Sequence, residues 1–476
     1  MVTIYWMRND LRLTDNPALC FAVEQGSVLP IYIHDTGVEK ECGAATRRWL
    51  HDSLLSIDSA LKGNLRVFKG EPLEVLNKLV ADLKPDAIVW NRGYEPETIA
   101  RDTKIKSGLQ EQGLKVKSFN AGHLWAPTDI LKKDGTPYKV FTPYYRKGCL
   151  AASVPRFPLQ RPAKINFVET AVSDAVDIED LNFIPKINWD EQMMRHWSPG
   201  EQGAKDRLQA FLDGPLFNYK EERNIPAVAA TSRLSPHLHF GEISPNQVWY
   251  AVLDKCEQQG ISVEHPDVDC YLSELGWREF SAYLLFHFSD MVTENFNVKF
   301  NKFAWRSDNQ QLQAWQRGKT GIPIVDAGMR ELWATGYMHN RVRMIVGSFL
   351  VKNLLLDWRE GEAWFWDCLV DADLASNVAS WQWVAGSGAD AAPYFRIFNP
   401  VTQGEKFDPQ GEYVKTWCPE LKKVPAKLIH KPWEAKTDIL RACGVELGND
   451  YPEPLVDLKA SRQRALDAFA ELKNVS

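Results

Sequence analysis

Short apolar runs alternate with helical periodicity along the first third of the chain. Between two of these runs, apolar residues recur at helical spacing from Leu50 to Leu61, and Gly63 follows as a stop. Strands separated by helices predict βαβ units and a parallel sheet. Four runs end near turn residues and are predicted strands: VTIYWM (Val2–Met7), VLPIYIH (Val28–His34), LRVFKG (Leu65–Gly70) and DAIVWN (Asp86–Asn91).

The pattern changes twice further along the chain. From about residue 150 to 195 periodicity fades and prolines punctuate the sequence, which indicates a linker. WSPGE then predicts a helix start, with Ser198 as N-cap and Glu201 completing a capping box. Beyond it nearly every segment has helical spacing. We therefore predict a Rossmann-like α/β domain at 1–130, an interdomain linker at 131–196 and a large all-α domain at 197–476.

Composition narrows the class of protein. The chain has 476 residues, a formal net charge of -6 and 18 tryptophans. An acidic protein can still bind nucleic acid through a local basic patch. The eight cysteines are scattered, so we expect neither a metal site nor a disulfide scaffold. Charged residues near the N-terminus and the lack of a long apolar run predict a cytoplasmic protein with no membrane segment.

The loop after the first predicted strand carries no GxGxxG. It reads RNDLRLTDNPAL, so a standard dinucleotide turn is not expected there. The sheet could hold a different ligand or none.

Two short segments bring polar groups together. ATSRLS places Thr231, Ser232 and Ser235 just before a helical stretch, which suits either a phosphate cradle or a capped turn. MHNRVRM places Arg341 and Arg343 beside an apolar helical stripe. These arginines either face an anion or are simply exposed.

The segment DADLASNVASWQW combines two acids, an amide and two indoles, which an ordinary amphipathic helix does not need. If a helix starts near Asp373, then Asp373, Asn377 and Trp381 form one line at i, i+4 and i+8. Acids in a first turn suit the helix dipole. Asn is a poor helix former in mid-helix. A ligand that needs one donor and one acceptor explains Asn377 better.

These segments together resemble the cryptochrome/photolyase family over nearly the whole chain, and within it the bacterial class I cyclobutane pyrimidine dimer photolyases. The matching motifs run in order: MRNDLRLTDNPAL, YKVFTPYYRK, ATSRLS, WREF, WQRGKTGIPIVDAGMREL, MHNRVRM, DADLASNVASWQW, DAAPYFRIFNP and QGEKFDPQGEYV. The resemblance implies an α/β antenna domain, a helical FAD-binding domain and light-driven repair of dimers in UV-damaged DNA, by electron transfer from photoexcited reduced FAD to a flipped-out dimer.

The resemblance also implies which residues contact FAD. Asn377 matches the residue facing flavin N5, where plant cryptochromes carry an acid, so it favours repair over signalling. The flavin-binding positions are Tyr219, Thr231, Ser232, Leu234, Ser235, Tyr271, Glu274, Arg278, Asn340, Arg343, Asp371, Asp373 and Asn377.

The same resemblance implies a substrate side. Trp277 and Trp383 match indoles that wall the pocket of the flipped dimer, Glu274 matches a carboxyl that bonds the pyrimidine, and Met344 matches the residue beneath the dimer. With these, Asn340 and Asn377 complete the implied catalytic set. Trp305, Trp358 and Trp381 match an electron-transfer chain. The implied DNA-contacting residues are Arg223, Glu274, Trp277, Arg341, Trp383, Arg396, Gln403 and Lys406.

Two questions stay open at this point. Tyr94-Glu95 is followed by Pro96, Glu97 and Thr98, where folate-binding relatives carry Asn-Glu. The usual folate contacts are therefore not matched here. The alternatives for a second chromophore are methenyltetrahydrofolate, 8-hydroxy-5-deazaflavin, another flavin or an empty site. The rival functions are a blue-light photoreceptor, a photolyase for the (6-4) lesion and a non-catalytic flavin- or DNA-binding protein. We expect a monomer.

Overall fold

The computed structural model describes residues 1–38, 40–170, 172–391 and 395–474. These divide into two compact units. Residues 1–216 and 232–287 form the sheet unit; residues 217–231 and those from 288 onward form the helical unit. Residues 392–394 of the motif DAAPYFRIFNP lie outside the described residues. The domain boundaries at 130 and 196 stay a prediction.

Helices dominate the described residues. In chain order they are α1 (Pro17–Gln25), α2 (Ala44–Ala60), α3 (Pro72–Leu83), α4 (Pro96–Glu111), α5 (Leu150–Ala152), α6 (Asp190–Met194), α7 (Glu201–Asp213), α8 (Tyr219–Glu222), α9 (Ser235–His239), α10 (Pro245–Gln259), α11 (Pro266–His287), α12 (Asn309–Gln316), α13 (Pro323–Thr335), α14 (Asn340–Ser348), α15 (Trp358–Cys368), α16 (Leu374–Ala385), α17 (Pro400–Phe407), α18 (Glu412–Trp417), α19 (Ala426–Ile429), α20 (Thr437–Cys443) and α21 (Leu458–Asn474). Shorter 3₁₀ segments are Ile178–Leu181, Pro215–Asn218, Ser289–Val292, Val298–Lys302, Pro419–Leu421 and Pro432–Glu434, and two π-helical segments are Pro143–Cys149 and Phe349–Leu354.

A five-stranded parallel sheet is the core of the sheet unit. Its strands are β1 (Val2–Met7), β2 (Ser27–Asp35), β3 (Arg66–Gly70), β4 (Ala87–Asn91) and β5 (Lys115–Phe119), in the order β3-β2-β1-β4-β5. Ile4 of β1 aligns with Leu29 of β2 and with Ile88 of β4, and all three are buried. Parallel strands buried on both faces give near-continuous apolar runs, which is why four of them could be predicted. The predicted fold class is confirmed.

The loop after β1 is filled by its own polar groups. Asp10 accepts hydrogen bonds from Tyr5 Oη (2.6 Å) and from the Asn91 amide (2.5 Å). Arg12 is buried, and its guanidinium donates to the carbonyl oxygens of Gly241 (2.8 Å) and Ala121 (2.9 Å). The residues that replace a glycine-rich turn therefore hold the sheet unit together.

The predicted capping box in WSPGE is wrong. Helix α7 begins at Glu201, and its N-cap is Gly200 rather than Ser198. The Glu201 carboxylate accepts from Leu13 N (2.9 Å) and pairs with Lys205 (2.8 Å). A tertiary contact with Leu13 therefore takes the carboxylate that the box would have used.

The helical unit packs an aromatic cluster under its last helix. Phe300, Phe303 and Leu355 are buried against Ala465 and Leu472 of α21. Among the described residues, no helix has both the length and the apolar character needed to cross a bilayer.

Candidate functional site

Helix α16 carries the acid, amide and indole that the sequence placed in one line. Asp373 is the N-cap, and its carboxylate accepts from Ser376 N (2.8 Å). Asn377 and Trp381 follow at one-turn intervals and are buried. Gly386, at φ +91°, ends the helix in the left-handed conformation that favours glycine. The predicted helix start is confirmed.

The amide of Asn377 is held in one orientation. Its nitrogen donates to both the carboxylate oxygen (2.9 Å) and the backbone carbonyl (3.1 Å) of Glu362 in α15. Both partners can only accept, so they fix which end of the amide is nitrogen. With both N–H groups used, the carbonyl oxygen is the atom that can accept a hydrogen from a ligand. Glu362 was not among the predicted site residues.

An ion pair precedes α16. Arg343 of α14 donates through Nη2 to both oxygens of Asp371 (2.9 and 3.1 Å) and through Nε to Met338 O (2.7 Å). Burial lowers the pKa of Arg343, but Asp371 together with Tyr337 and Glu331 more than offsets burial and leaves that pKa raised above its ordinary value. The structure thus brings two predicted flavin-binding residues into direct contact.

Helix α14 also presents Arg341 and Met344. The side chain of His339 caps the helix by accepting from Arg341 N (3.2 Å). The Arg341 guanidinium lies 3.7 Å from Met344 Sδ and donates to Asn224 Oδ1 at 2.5 Å. Asn340, at the first turn, is exposed. The side chains of Arg341 and Met344 are therefore in direct contact.

Positive charge gathers around one phenylalanine ring in the helical unit. The Arg341 guanidinium lies 4.4 Å and Lys406 Nζ lies 5.1 Å from the centroid of the Phe407 ring. Burial, followed by the nearby charge of Arg223, lowers the pKa of Arg341. Like charges brought together in a protein favour an anion as partner. Arg396 is exposed before α17, and Gln403 lies within that helix.

The three tryptophans of the predicted electron chain differ in exposure. Trp381 and Trp358 are buried, and Trp305 is partly exposed. Trp358 Nε1 donates to Asn295 Oδ1 (3.0 Å), and the Trp305 ring contacts Phe303 (4.4 Å between centroids).

The ring of Trp381 contacts other aromatics. Its neighbours among the described residues are Phe365 (5.0 Å) and Trp315 (6.2 Å), both edge-on. No ring contact among the described residues joins the three chain members to one another.

In the sheet unit, α11 carries four predicted site residues. Trp277 is 37% exposed, and its ring stacks on Phe141 at 3.7 Å between centroids and 11° between planes. Arg278 donates to Gly122 O (2.7 Å) and to Glu279 (3.2 Å). Glu274, one turn earlier, is partly exposed. Trp277 is therefore a solvent-facing indole with a fixed ring plane.

Ser232 of the hydroxyl-rich segment contacts α11. Burial raises the pKa of Tyr271, and a hydrogen bond with the Ser232 side chain opposes that rise. Leu234 is buried, and Ser235 begins the five-residue helix α9. Thr231 and the buried Tyr219 belong to the helical unit. Ser232 and Tyr271 are therefore hydrogen-bonded neighbours within the sheet unit.

Comparisons with known proteins agree with the resemblance. Residues 3–163 match the family model described as DNA photolyase, and residues 271–471 match the FAD binding domain of DNA photolyase. The deoxyribodipyrimidine photo-lyase of Agrobacterium fabrum is 47% identical over 99% of this chain and 98% of its own. Cryptochrome-1 of Arabidopsis thaliana is 38% identical over 99% of this chain and 70% of its own.

A solved structure gives the same picture. The bacterial class III photolyase from Agrobacterium tumefaciens superposes with a TM-score of 0.95 at 47% identity, over 99% of this chain and 98% of that one. The sequence motifs had suggested class I. The likeness to a class III structure therefore places the chain in the family without assigning it to one class.

Proposed function

The chain belongs to the photolyase and cryptochrome family and contains its FAD-binding domain, and from this we propose that it repairs cyclobutane pyrimidine dimers in UV-damaged DNA under blue light. The single observation that carries the proposal furthest is the solvent-facing Trp277, held flat on Phe141. A dimer within a strand must leave the stack to be repaired, and a flat indole offers a new stacking partner.

The side chains of the helical unit fit a flavin. Asn377 offers a carbonyl oxygen, because its amide nitrogen is occupied by Glu362. Such an acceptor suits flavin N5, which carries a hydrogen when the flavin is reduced. The Arg343–Asp371 pair adds a fixed positive charge beside a carboxylate. When bound, reduced FAD supplies the electron that light transfers to the dimer and that returns after the ring splits, so there is no net redox change.

Other residues of the chain position the substrate. We propose that Trp277 and Trp383 stack on the flipped bases, that Glu274 bonds the pyrimidine and that Met344 lies beneath the dimer. Arg223, Arg341 and Lys406 would bind backbone phosphates, and their clustered charge supports this role. Arg396 and Gln403 extend this rim. The remaining flavin contacts, and a second chromophore, stay predictions.

A repair assay tests the proposal. The FAD-loaded protein, chemically reduced, is mixed with UV-irradiated oligo(dT), and recovery of thymine absorbance is followed under blue light and in darkness. Light-dependent recovery is expected. Trp277→Ala should weaken binding of the dimer about 5- to 150-fold, since base–aromatic stacking is worth about 1–3 kcal/mol per base.

Trp333 provides a matched control for Trp277. It is 64% exposed and also stacks on an aromatic ring, that of Trp364, at 6.0 Å. Trp333→Ala removes an exposed, stacked indole from the helical unit, outside the proposed dimer pocket, and should repair dimers as the wild type does. If the flavin-loaded wild type shows no recovery, the dimer assignment is wrong. The (6-4) lesion and then signalling would be the next functions to test.

A further inference from the structure

The helical unit contains a fully buried lysine that the proposed repair reaction does not use. Lys352 lies in the π-helical segment Phe349–Leu354, and its exposure is 0%. Lysine is almost never fully buried unless it is paired with an anion. Within the described part of the chain no carboxylate pairs with it. Its ammonium instead donates to Ala385 O (2.5 Å) and lies 3.2 Å from the centroid of the Phe395 ring.

One of these contacts completes the end of α16. The last carbonyl groups of a helix lack partners within the helix. Gln382 O accepts from the N–H groups of residues 386–388, and Trp383 O accepts from Gly386 N (3.1 Å). Ala385 O is bound by Lys352, and a cation at a helix C-terminus is favourable. Lys352 therefore fixes the turn that presents Trp383.

The other contact fixes a segment that leads to α17. Phe395 covers the ammonium on one side and stacks on Phe469 of α21 (4.3 Å, 5°) on another. Nearby, Phe398 N donates to Ser348 Oγ (3.2 Å). Arg396 lies between these two anchored residues and is exposed. The same ammonium thus contacts the turn of Trp383 and the segment of Arg396.

This arrangement is unfavourable for stability alone. Burial lowers the pKa of Lys352 well below its ordinary value, because the charged form loses its hydration. Well-packed apolar residues in place of buried charges are often neutral or stabilising. A local choice that works against stability is expected where function requires it.

We propose that Lys352 is a positioning residue for damaged DNA, holding Trp383 and Arg396 in one fixed arrangement. The proposal rests on the proposed function, because Trp383 and Arg396 are predicted DNA contacts. It predicts that an apolar substitution leaves the fold at least as stable while weakening recognition of the dimer. A lysine with only a structural role would show the opposite, a loss of stability without a selective loss of binding.

The test uses the FAD-loaded full-length protein and the Lys352→Met variant. Fluorescence anisotropy measures the affinity for an oligonucleotide with one thymine dimer and for the same oligonucleotide without damage, and thermal unfolding measures stability. The variant should lose about fivefold in dimer affinity, at the lower end of one stacking contact, with an unchanged or higher melting temperature. Turnover at saturating substrate should be unchanged, because Lys352 acts on binding geometry.

Two further variants make the result decisive. Lys415→Met removes a lysine of the same unit that pairs with Glu412 on the surface of α18 (2.8 Å), and should bind as the wild type does. Phe395→Leu keeps the bond to Ala385 but removes the aromatic face, so it should reduce dimer affinity less than Lys352→Met. It also replaces Lys352→Met as the deciding variant if that protein does not fold.

The outcomes separate the two proposals. Dimer affinity equal to wild type in the Lys352 and Phe395 variants overturns the positioning role, as does a loss of stability without a loss of dimer affinity. A wild-type protein that does not distinguish dimer from undamaged DNA overturns the proposed function instead.

Discussion

Gly361 makes room for the indole of Trp381, and this space gives a direct test of the electron chain. A Cβ at Gly361 would lie 2.1, 2.4 and 2.6 Å from three ring carbons of Trp381, whereas ordinary contact begins at 3.4 Å. The ring must therefore retreat by about 1.3 Å, the difference between 3.4 and 2.1 Å. Trp381 is buried against Phe365 and Trp315, so it cannot retreat without disturbing them.

The Gly361→Ala variant should therefore lose both stability and electron transfer. Overpacking of this kind costs about 1–3 kcal/mol, which most domains tolerate within a total of about 5–15 kcal/mol. A displaced Trp381 should slow light-driven reduction of oxidised FAD by an external reductant, measured as the initial loss of flavin absorbance under blue light. Repair by enzyme reduced chemically beforehand should be retained, because that reaction does not need the relay.

Gly347 supplies the matched control. A Cβ there would lie 3.4 Å from Val384 and 3.6 Å from the same Trp381 ring, which is ordinary contact. Gly347→Ala adds the same methyl group beside the same indole and should photoreduce as the wild type does. Trp381→Phe sets the level expected when the relay is absent. Unchanged photoreduction in a destabilised Gly361→Ala protein would refute either the displacement or the relay role of Trp381.

Three further predictions follow from contacts of the helical unit. Glu362→Ala removes the hydrogen bond between the Asn377 amide and the Glu362 carboxylate, and such a bond to a charged group contributes about 1.5–3 kcal/mol. Reduced FAD should therefore reoxidise in air faster than in wild type. Equal rates would show that Glu362 does not set the amide orientation. Arg341→Met should weaken binding to damaged and undamaged DNA alike. It should also make the slope of the logarithm of the binding constant against the logarithm of salt concentration shallower by about one. An unchanged slope would show that Arg341 does not contact a phosphate. Burial lowers the pKa of folded Lys352, so the unfolded state binds more protons between that lowered pKa and about 10.4. Wild-type stability relative to Lys352→Met should therefore rise with pH in this window by at most about 1.4 kcal/mol per pH unit. Urea unfolding from pH 7 to 10 measures the difference, and a difference independent of pH would contradict the lowered pKa of Lys352.

The pattern of apolar residues predicted the strands whose side chains are buried on both faces of the sheet. The four apolar runs became β1 to β4, because strands buried on both faces need apolar residues at nearly every position. Strand β5, KVKSF, was missed. Among the described residues it pairs only with β4, its two lysines suit a sheet edge, and Val116 is its one buried residue. The other edge strand, β3, was predicted because its adjacent apolar residues Val67 and Phe68 are both buried, whereas two exposed lysines interrupt β5.

The residues that hold the site could not be predicted in the same way. The Asn377 amide is oriented by Glu362, and the Trp277 ring is supported by Phe141, 136 positions earlier. Glu362 lies in a helix where a carboxylate is ordinarily a solvated side chain. Phe141 belongs to a quoted motif, but no local period points it at Trp277. Sequence alone identifies the residue types that do chemistry more readily than the side chains that support them.

Helix α16 shows the physical reason why chemically active residues can be identified from sequence while their supporting side chains cannot. Its side chains Asn377, Trp381 and Trp383 are unusual for a helix, so they are visible in the sequence. Their geometry depends on two buried charged residues from elsewhere in the helical unit, Glu362 at the amide and Lys352 at the C-terminal carbonyl. Site residues must be held within about 0.5 Å of a productive geometry, which requires supporting side chains that are themselves fixed. Both charges are costly to bury, so a cost in stability at Glu362 and Lys352 is expected to be matched by a gain in the placement of α16.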